Sequence, residues 1–462
     1  MRPPSQAAGK ADAARWALIV LTVVNLLNYL DRFVVGSLVE SLKRSDLHLS
    51  DTQLGALATG FLLVYMVTAP VFGRLGDRGK RPSLIALGIA IWSVATSLGG
   101  LAWNFASLFV ARSAVGIGEA AYGTIAPALL ADHFPKQTRG RVFAVFNAAI
   151  PIGSAAGYVL GGLVDRHFGW RAAFLVAGLP GLAIAWFTYR LVDPERGSQD
   201  DAADYLPAPP AAPTPATPAT PATPANAANL PARPEAAAPA PESRWTAFGE
   251  LLRNRPFVLT VLGYAAYTFA LGALAFWTPA FFERVRGMAR TEATVQFGAI
   301  VVVTGFVGTF AGGWLGDYFL RRSSQAYLWV SGLATLAAAP VALVAFVAES
   351  RPLYMTAIVV AEVLLFMSTG PVNSVLVNVV APDKRATAVA LSIFGVHLLG
   401  DVPSPPLIGI ISDHSSLATA FLIIPVAIAL GGLIWLWTAW RGSHGGAAHP
   451  AGPAEPAEAA AR

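Results

Sequence analysis

What most constrains this chain is a succession of long apolar stretches, each long enough to cross a bilayer as a helix, which takes about 20 residues for roughly 30 Å of hydrocarbon. Twelve can be placed, near residues 16–43, 52–75, 82–102, 104–133, 139–165, 170–191, 255–282, 292–318, 325–348, 352–380, 385–412 and 416–440. Lipid offers the backbone no hydrogen-bond partner, so each stretch must satisfy itself as a helix. Only 13% of the 462 residues are charged, against about 25% in an average soluble protein, too few to cover a water-facing surface. The expected fold class is an all-α membrane protein with twelve transmembrane helices.

Lys and Arg at the segment ends favour one side by roughly two to one, which puts both termini in the cytoplasm. The basic group Arg284 to Arg290 runs against this bias and reads as local, diluted by Glu283 and Glu292. Residues 1–15 are polar and lack a signal peptide's apolar core, so the first stretch is expected to stay as a span. Between the sixth and seventh stretches lies a run of Pro, Ala and Thr with no apolar anchors. The organisation expected is a cytoplasmic N-terminus at 1–15, a six-helix bundle at 16–192, a disordered linker at 193–250, a second six-helix bundle at 251–441 and a disordered tail at 442–462.

The two halves resemble each other: Gly73, Leu75, Gly76 and Asp77 return as Gly313, Leu315, Gly316 and Asp317, a constant offset of 240. Two pseudo-symmetric bundles rocking about a midplane site are how secondary transporters are built. Other classes lose ground. There is no cysteine, hence no disulfide, thiolate metal site or thiol catalysis. No GxxxxGK phosphate loop is present, so ATP is not the energy source. The 32 Lys and Arg are scattered among apolar segments, which excludes a nucleic-acid surface. No nucleophile, base and orienter set and no metal-ligand cluster is evident, so no enzyme and no metal are expected.

Charges inside the spans carry the functional reading, since each costs about 2.5–3.5 kcal/mol at a helix centre. Asp31 and Arg32 lie in the first span, and Arg112 and Glu119 in the fourth, seven residues apart on one helix face and about 10.5 Å along its axis. They are too distant to neutralise each other, so each needs a partner from another helix, and Asp31 is the candidate for Arg112. Arg32 reads as a snorkelling or capping residue. Whether a buried carboxylate is charged depends on its surroundings and its neighbours, which suits Asp31 and Glu119 to proton coupling. Arg112, always charged, can hold an anionic group bidentately. In the second half, Glu362 lies within one residue of the repeat position of Glu119, on the 244 offset of Pro127 and Pro371, while His397 and Asp401 are one helical turn apart. Tyr29 and Tyr122 are candidate cavity residues beside them.

The loop GRLGDRGKR, Gly73 to Arg81, matches the signature that the major facilitator superfamily carries after its second span. In it, Gly73 and Gly76 allow close helix approach, and Asp77 can meet the positive N-terminus of the eleventh span and the basic groups Arg139 and Arg141. With Arg78, Arg81 and the repeat-related Asp317, this forms an expected gate. NYLDR at Asn28 to Arg32, RSAVGIGEAAYGTIAPALLAD at Arg112 to Asp132, AIPIGSAAGY at Ala149 to Tyr158 and GWR at Gly169 to Arg171 resemble the Spinster-like branch of that superfamily, more closely in the first half than in the second.

The resemblance implies the major facilitator fold, transport of a lysolipid such as a lysophospholipid or sphingosine phosphate, proton coupling, and roles for Asp31, Arg112 and Glu119. The expectation is a proton-coupled secondary transporter of an amphipathic anion in a bacterial inner membrane. It would be a monomer among membrane lipid, with no cofactor beyond the proton gradient. A multidrug exporter or a proton and organic-anion symporter fits the same charges, and a membrane receptor or lipid-modifying enzyme is the alternative outside transport.

Overall fold

A computed structural model of the chain describes residues 4–199, 244–380 and 385–444. Among these residues, eleven helices are long and apolar enough to cross a membrane. The longest of them holds two spans, because Gly169, at φ 81° and ψ 165°, breaks Lys136–Tyr189 into two helices. Only glycine adopts that backbone freely. Twelve transmembrane helices result.

The first bundle contains α1 (Pro4–Arg44), α2 (Asp51–Arg78), α3 (Arg81–Gly99), α4 (Phe105–His133) and the double helix α5 (Lys136–Tyr189). A short α6 (Arg244–Arg253) leads into the second: α7 (Arg255–Arg284), α8 (Arg290–Leu320), α9 (Ala326–Val347), α10 (Arg351–Phe366), α11 (Thr369–Asn378), α12 (Arg385–Val396), a π-helical turn at His397–Asp401, α13 (Ser404–His414), α14 (Leu417–Phe421) and α15 (Ile423–His444). The tenth span is thus broken between α10 and α11, and the eleventh is bent by the π turn.

Polar residues set the starts. Ser50 and Asn104 cap α2 and α4 with reciprocal bonds to Gln53 and Ser107, satisfying amides that lipid would leave bare. Glycines set the packing distance. A Cβ on Gly118 would lie 2.2 Å from the Gly88 carbonyl oxygen, and one on Gly312 would collide with the Met367 backbone, so α4 meets α3, and α8 meets the tenth span, backbone to backbone.

Several boundaries differ from expectation. Residues 193–199, assigned to the linker, strap onto the first bundle: Arg196 donates to the carbonyls of Gly76 and Gly79 at 2.8 Å, and Asp193 accepts from Arg81 Nε at 2.7 Å. The free carbonyls at the end of α2 supply the acceptors. Residues 244–250, also assigned to the linker, belong to α6, whose Leu251 is buried against α7 and the spans beside it. Residues 200–243 of the linker and 445–462 of the tail lie outside the described residues. Helix α1 begins at Pro4, within the segment expected to precede the first span.

The halves meet at the end away from the chain termini. There Arg284 of α7 binds Glu40 of α1 and Asp51 of α2, Arg44 binds Glu283 at 3.0 Å, and Arg290 binds Asp165 at 2.8 Å. Asp413 accepts the Asp51 and Thr52 amides at the start of α2, at 2.9 and 2.8 Å. Glycines tighten the seam: a Cβ on Gly55 would stand 2.4 Å from the Pro405 carbonyl oxygen.

Candidate functional site

Consecutive helical residues point about 100° apart, so Asp31 and Arg32 of α1 serve different neighbours. Asp31 is fully buried and accepts from Arg112 Nη1 at 3.2 Å and from the Thr96 hydroxyl at 2.6 Å. Arg32 turns into the hollow between the helices. There it donates to Glu119 from Nη2 at 2.6 Å and from Nε at 3.2 Å. Arg32 is therefore not the snorkelling or capping group that its position in the sequence suggests; no cap is needed mid-helix, and a buried carboxylate faces it. Its guanidinium also sits 5.2, 5.0 and 5.6 Å from the ring centroids of Tyr29, Phe61 and Tyr65, a geometry that stabilises a cation on aromatic faces.

Arg32 and Tyr29 stand where two cavities meet. One, of about 160 Å³, is polar and lies within the first bundle, walled by Asn25, Asn28, Tyr65, Glu119 and Tyr122. The other, of about 200 Å³, lies between the bundles; Phe33, Phe61 and Phe276 make its walls mostly apolar, and Arg112, His397 and Asp401 dot its rim. A third, of about 370 Å³, continues from His397 into the second bundle between Leu376, Val389, Ile393 and Val396. Neighbouring cavities share wall residues, Tyr29 and Arg32 and then His397, and their lining grades from charged to oily. Glu119 Oε1 and Arg112 Nε are buried without a hydrogen-bond partner among the described residues, which leaves bonding capacity for an incoming polar group.

The other expected site residues divide. His397 and Asp401 pair at 2.9 Å across the π turn and face the central cavity. Tyr122 lines the polar pocket and donates to the Leu21 carbonyl at 3.1 Å. Glu362 is set apart: it is buried between α8 and α10, meets the Thr304 hydroxyl at 2.9 Å, and lines none of the three cavities above. Among the other aromatic residues of the spans, Tyr158, Tyr267 and Trp277 are buried in packing.

The expected gate is dispersed in this conformation. Asp77, Arg78 and Arg141 are exposed. Arg139 donates to the Ala131 and Phe134 carbonyls, both at 3.0 Å. Arg81 is buried and paired with Asp132 and Asp193, and Asp317 accepts from the Tyr327 hydroxyl at 2.8 Å. Gly76 and its repeat mate Gly316 make close contacts, to Ile125 and Tyr327, whereas Gly73 and Gly313 both face open space.

Two functional features escape the sequence reading. One is the Arg32–Glu119 pair, although two adjacent charges in one span opposite two in another hinted at a double pairing. The other is the far-end ion cluster, whose signal was the basic group at Arg284 to Arg290 in a place where loop charge should be sparse.

Residues 21–400 match the Major Facilitator Superfamily model. The chain is 33% identical over 454 residues to protein spinster homolog 3 of Danio rerio, covering 92% of this chain and 84% of that one. It is also 33% identical over 451 residues to the sphingosine-1-phosphate transporter SPNS2 of Mus musculus, with 91% and 76% covered. Among solved structures, a bacterial homologue of the human lysosomal transporter Spinster, in an inward-facing, unoccupied conformation, aligns with a TM-score of 0.77 at 23% identity, covering 93% of this chain and 97% of that one. A D-xylose-proton symporter aligns with a TM-score of 0.65 at 16% identity, covering 92% and 96%. A two-bundle helical membrane fold with a charged, hollow seam, matched across nearly its whole length by these relatives, belongs to the Spinster-like transporters of the major facilitator superfamily.

Proposed function

We propose that the protein is a proton-coupled secondary active transporter that moves a lysolipid or similar amphipathic anion by alternating access. It works as a monomer in a bacterial inner membrane with both termini cytoplasmic, and the proton gradient stands in place of any cofactor. The observation that carries this reading is the Arg32–Glu119 ion pair at the junction of the polar pocket and the apolar cavity. A carboxylate that occupies Arg32 competes with an anionic head group for the same guanidinium. Protonating Glu119 removes the competitor and frees the fork, so proton and anion binding assist each other, which is the condition for symport. Asp31 holds Arg112 at the next level of α4, where the same exchange can follow.

The gradation from Glu119 and Arg32 to Phe33, Phe276 and Val396 suits a molecule with a charged head and an oily tail. The activity named for the mouse relative, sphingosine-1-phosphate transport, supports the same substrate class. With the termini inside, the ion cluster at the far end closes the outer face and the cavities belong to an inward-open state.

Transport into proteoliposomes under an imposed pH gradient tests the reading. The parent is expected to follow the gradient. A Glu119→Gln or Asp31→Asn variant that follows it equally well removes that residue from coupling. A panel of lysolipids, lipophilic cations and sugar acids in the same assay separates the lysolipid reading from drug export and from organic-anion symport.

A further inference from the structure

Glu362 is the repeat counterpart of Glu119, yet its surroundings are of a different kind. Glu119 faces Arg32. Among the described residues no cationic side chain pairs with Glu362, and the α7 positions offset by 240–244 from Arg32, residues 272–276, carry no charge. The Glu362 carboxyl meets Thr304 of α8, and the residue lines a small cavity with Thr278 from α7, Ala342 and Phe346 from α9, and Ile358 of its own helix. From the other bundle, the titratable group within electrostatic reach of Glu362 is Tyr158, whose hydroxyl donates to the Ala275 carbonyl.

The hydrogen positions then become countable. Thr304 Oγ1 lies 2.7 Å from the Ile300 carbonyl oxygen and 2.9 Å from Glu362 Oε2. A carbonyl and a carboxylate both accept only, and one hydroxyl hydrogen cannot serve two acceptors fully. If Glu362 carries a proton, its O–H donates to Thr304 Oγ1, the Thr304 hydroxyl donates to Ile300, and each hydrogen has one acceptor. An ionised carboxylate in this apolar setting has no such arrangement and no counter-charge.

We propose that Glu362 is a second proton-binding site, outside the substrate cavity, occupied by a proton in this conformation. It sits behind the surface that the second bundle presents to the first: α7 and α8 join it to Thr278 and Thr304, and those helices also carry Arg284 and Arg290 of the far-end cluster. Its proton is thus held by the packing of one bundle and not by substrate. The site stands whether or not Glu119 proves to be the coupling carboxylate.

Infrared spectroscopy of the protein in a detergent without ester groups, at neutral pH and without substrate, reads this directly. A protonated-carboxyl C=O band is expected in the parent, kept in Glu119→Gln, moved in frequency in Thr304→Val, and absent in Glu362→Gln. Should Glu362→Gln fail to fold, the Thr304→Val band position decides. Absence of the band in the parent, its survival in Glu362→Gln, or an unmoved band in Thr304→Val overturns the proposal.

Discussion

Replacing Glu119 by Gln keeps the shape of the polar pocket and removes the charge that occupies Arg32. In the parent, a head group must displace a carboxylate held by two guanidinium nitrogens at 2.6 and 3.2 Å. A charge-assisted hydrogen bond of this kind is worth about 1.5–3 kcal/mol net, and each 1.4 kcal/mol is about tenfold in affinity. The variant should therefore bind an anionic lysolipid about ten- to a hundredfold more tightly than the parent at a pH high enough to ionise the parent's Glu119. On lowering the pH the parent should approach the variant, because a protonated Glu119 and a glutamine leave Arg32 equally free. Calorimetry of a short-chain lysophosphatidic acid in nanodiscs, run in buffers of different ionisation enthalpy, measures both quantities. The parent should take up about one proton per bound anion at that higher pH, and the variant close to none. Weaker binding by Glu119→Gln, or an unchanged proton uptake, would refute competition for Arg32 as the coupling step.

The far-end cluster makes a stability prediction. Arg284→Ala removes the cation that Glu40 and Asp51 share and leaves Asp51 with Lys43 at 2.7 Å and Glu40 with Arg44 at 3.4 Å; with these partners kept the loss is smaller than that of an uncompensated buried charge, so thermal unfolding should drop modestly and spin-label distances across that end should lengthen. Gly55→Leu, whose side chain meets the Pro405 backbone, should open the same seam with the ion pairs intact, seen as faster alkylation of a cysteine introduced there. Asp77→Asn should leave the present conformation undisturbed, since Asp77 is exposed in it, and should depopulate the opposite one, read from the same spin-label pair. In the loop after α1, Arg171 donates to Asp46 at 2.8 and 3.0 Å and holds its carboxyl below the usual carboxylate range. That contribution is present at neutral pH and fades only as the pH falls through the lowered value, so Asp46→Asn should lower stability slightly near neutrality, where the exposed pair is intact, and leave it unchanged in acid, where the parent has already lost the contribution.

The linear sequence determined what depends on composition and local pattern. Stretches as long as the hydrocarbon is thick, with almost no charge to spare for water, admit only spanning helices, and the GRLGDRGKR loop with its counterpart 240 residues on marks a duplicated bundle. It also confined the few interior charges to helices that must supply one another's partners, and the pairing of Asp31 with Arg112 follows from that requirement. Which charge meets which beyond that pair was a question of helix rotation. Asp31 and Arg32 are neighbours in the chain but face different helices, and only the azimuth of α1, set by its packing on α5, turns Arg32 onto Glu119 and into the cavity. The same holds for Glu362, whose repeat position suggests kinship with Glu119 while its lack of a cation is visible only once α7, α8 and α9 are packed around it. The basic group from Arg284 to Arg290 obeys no loop-charge rule because Arg284 and Arg290 reach across to Glu40, Asp51 and Asp165 in the other half. Periodicity and length act within one segment, whereas ion pairs between segments depend on rotations and translations that no single segment encodes.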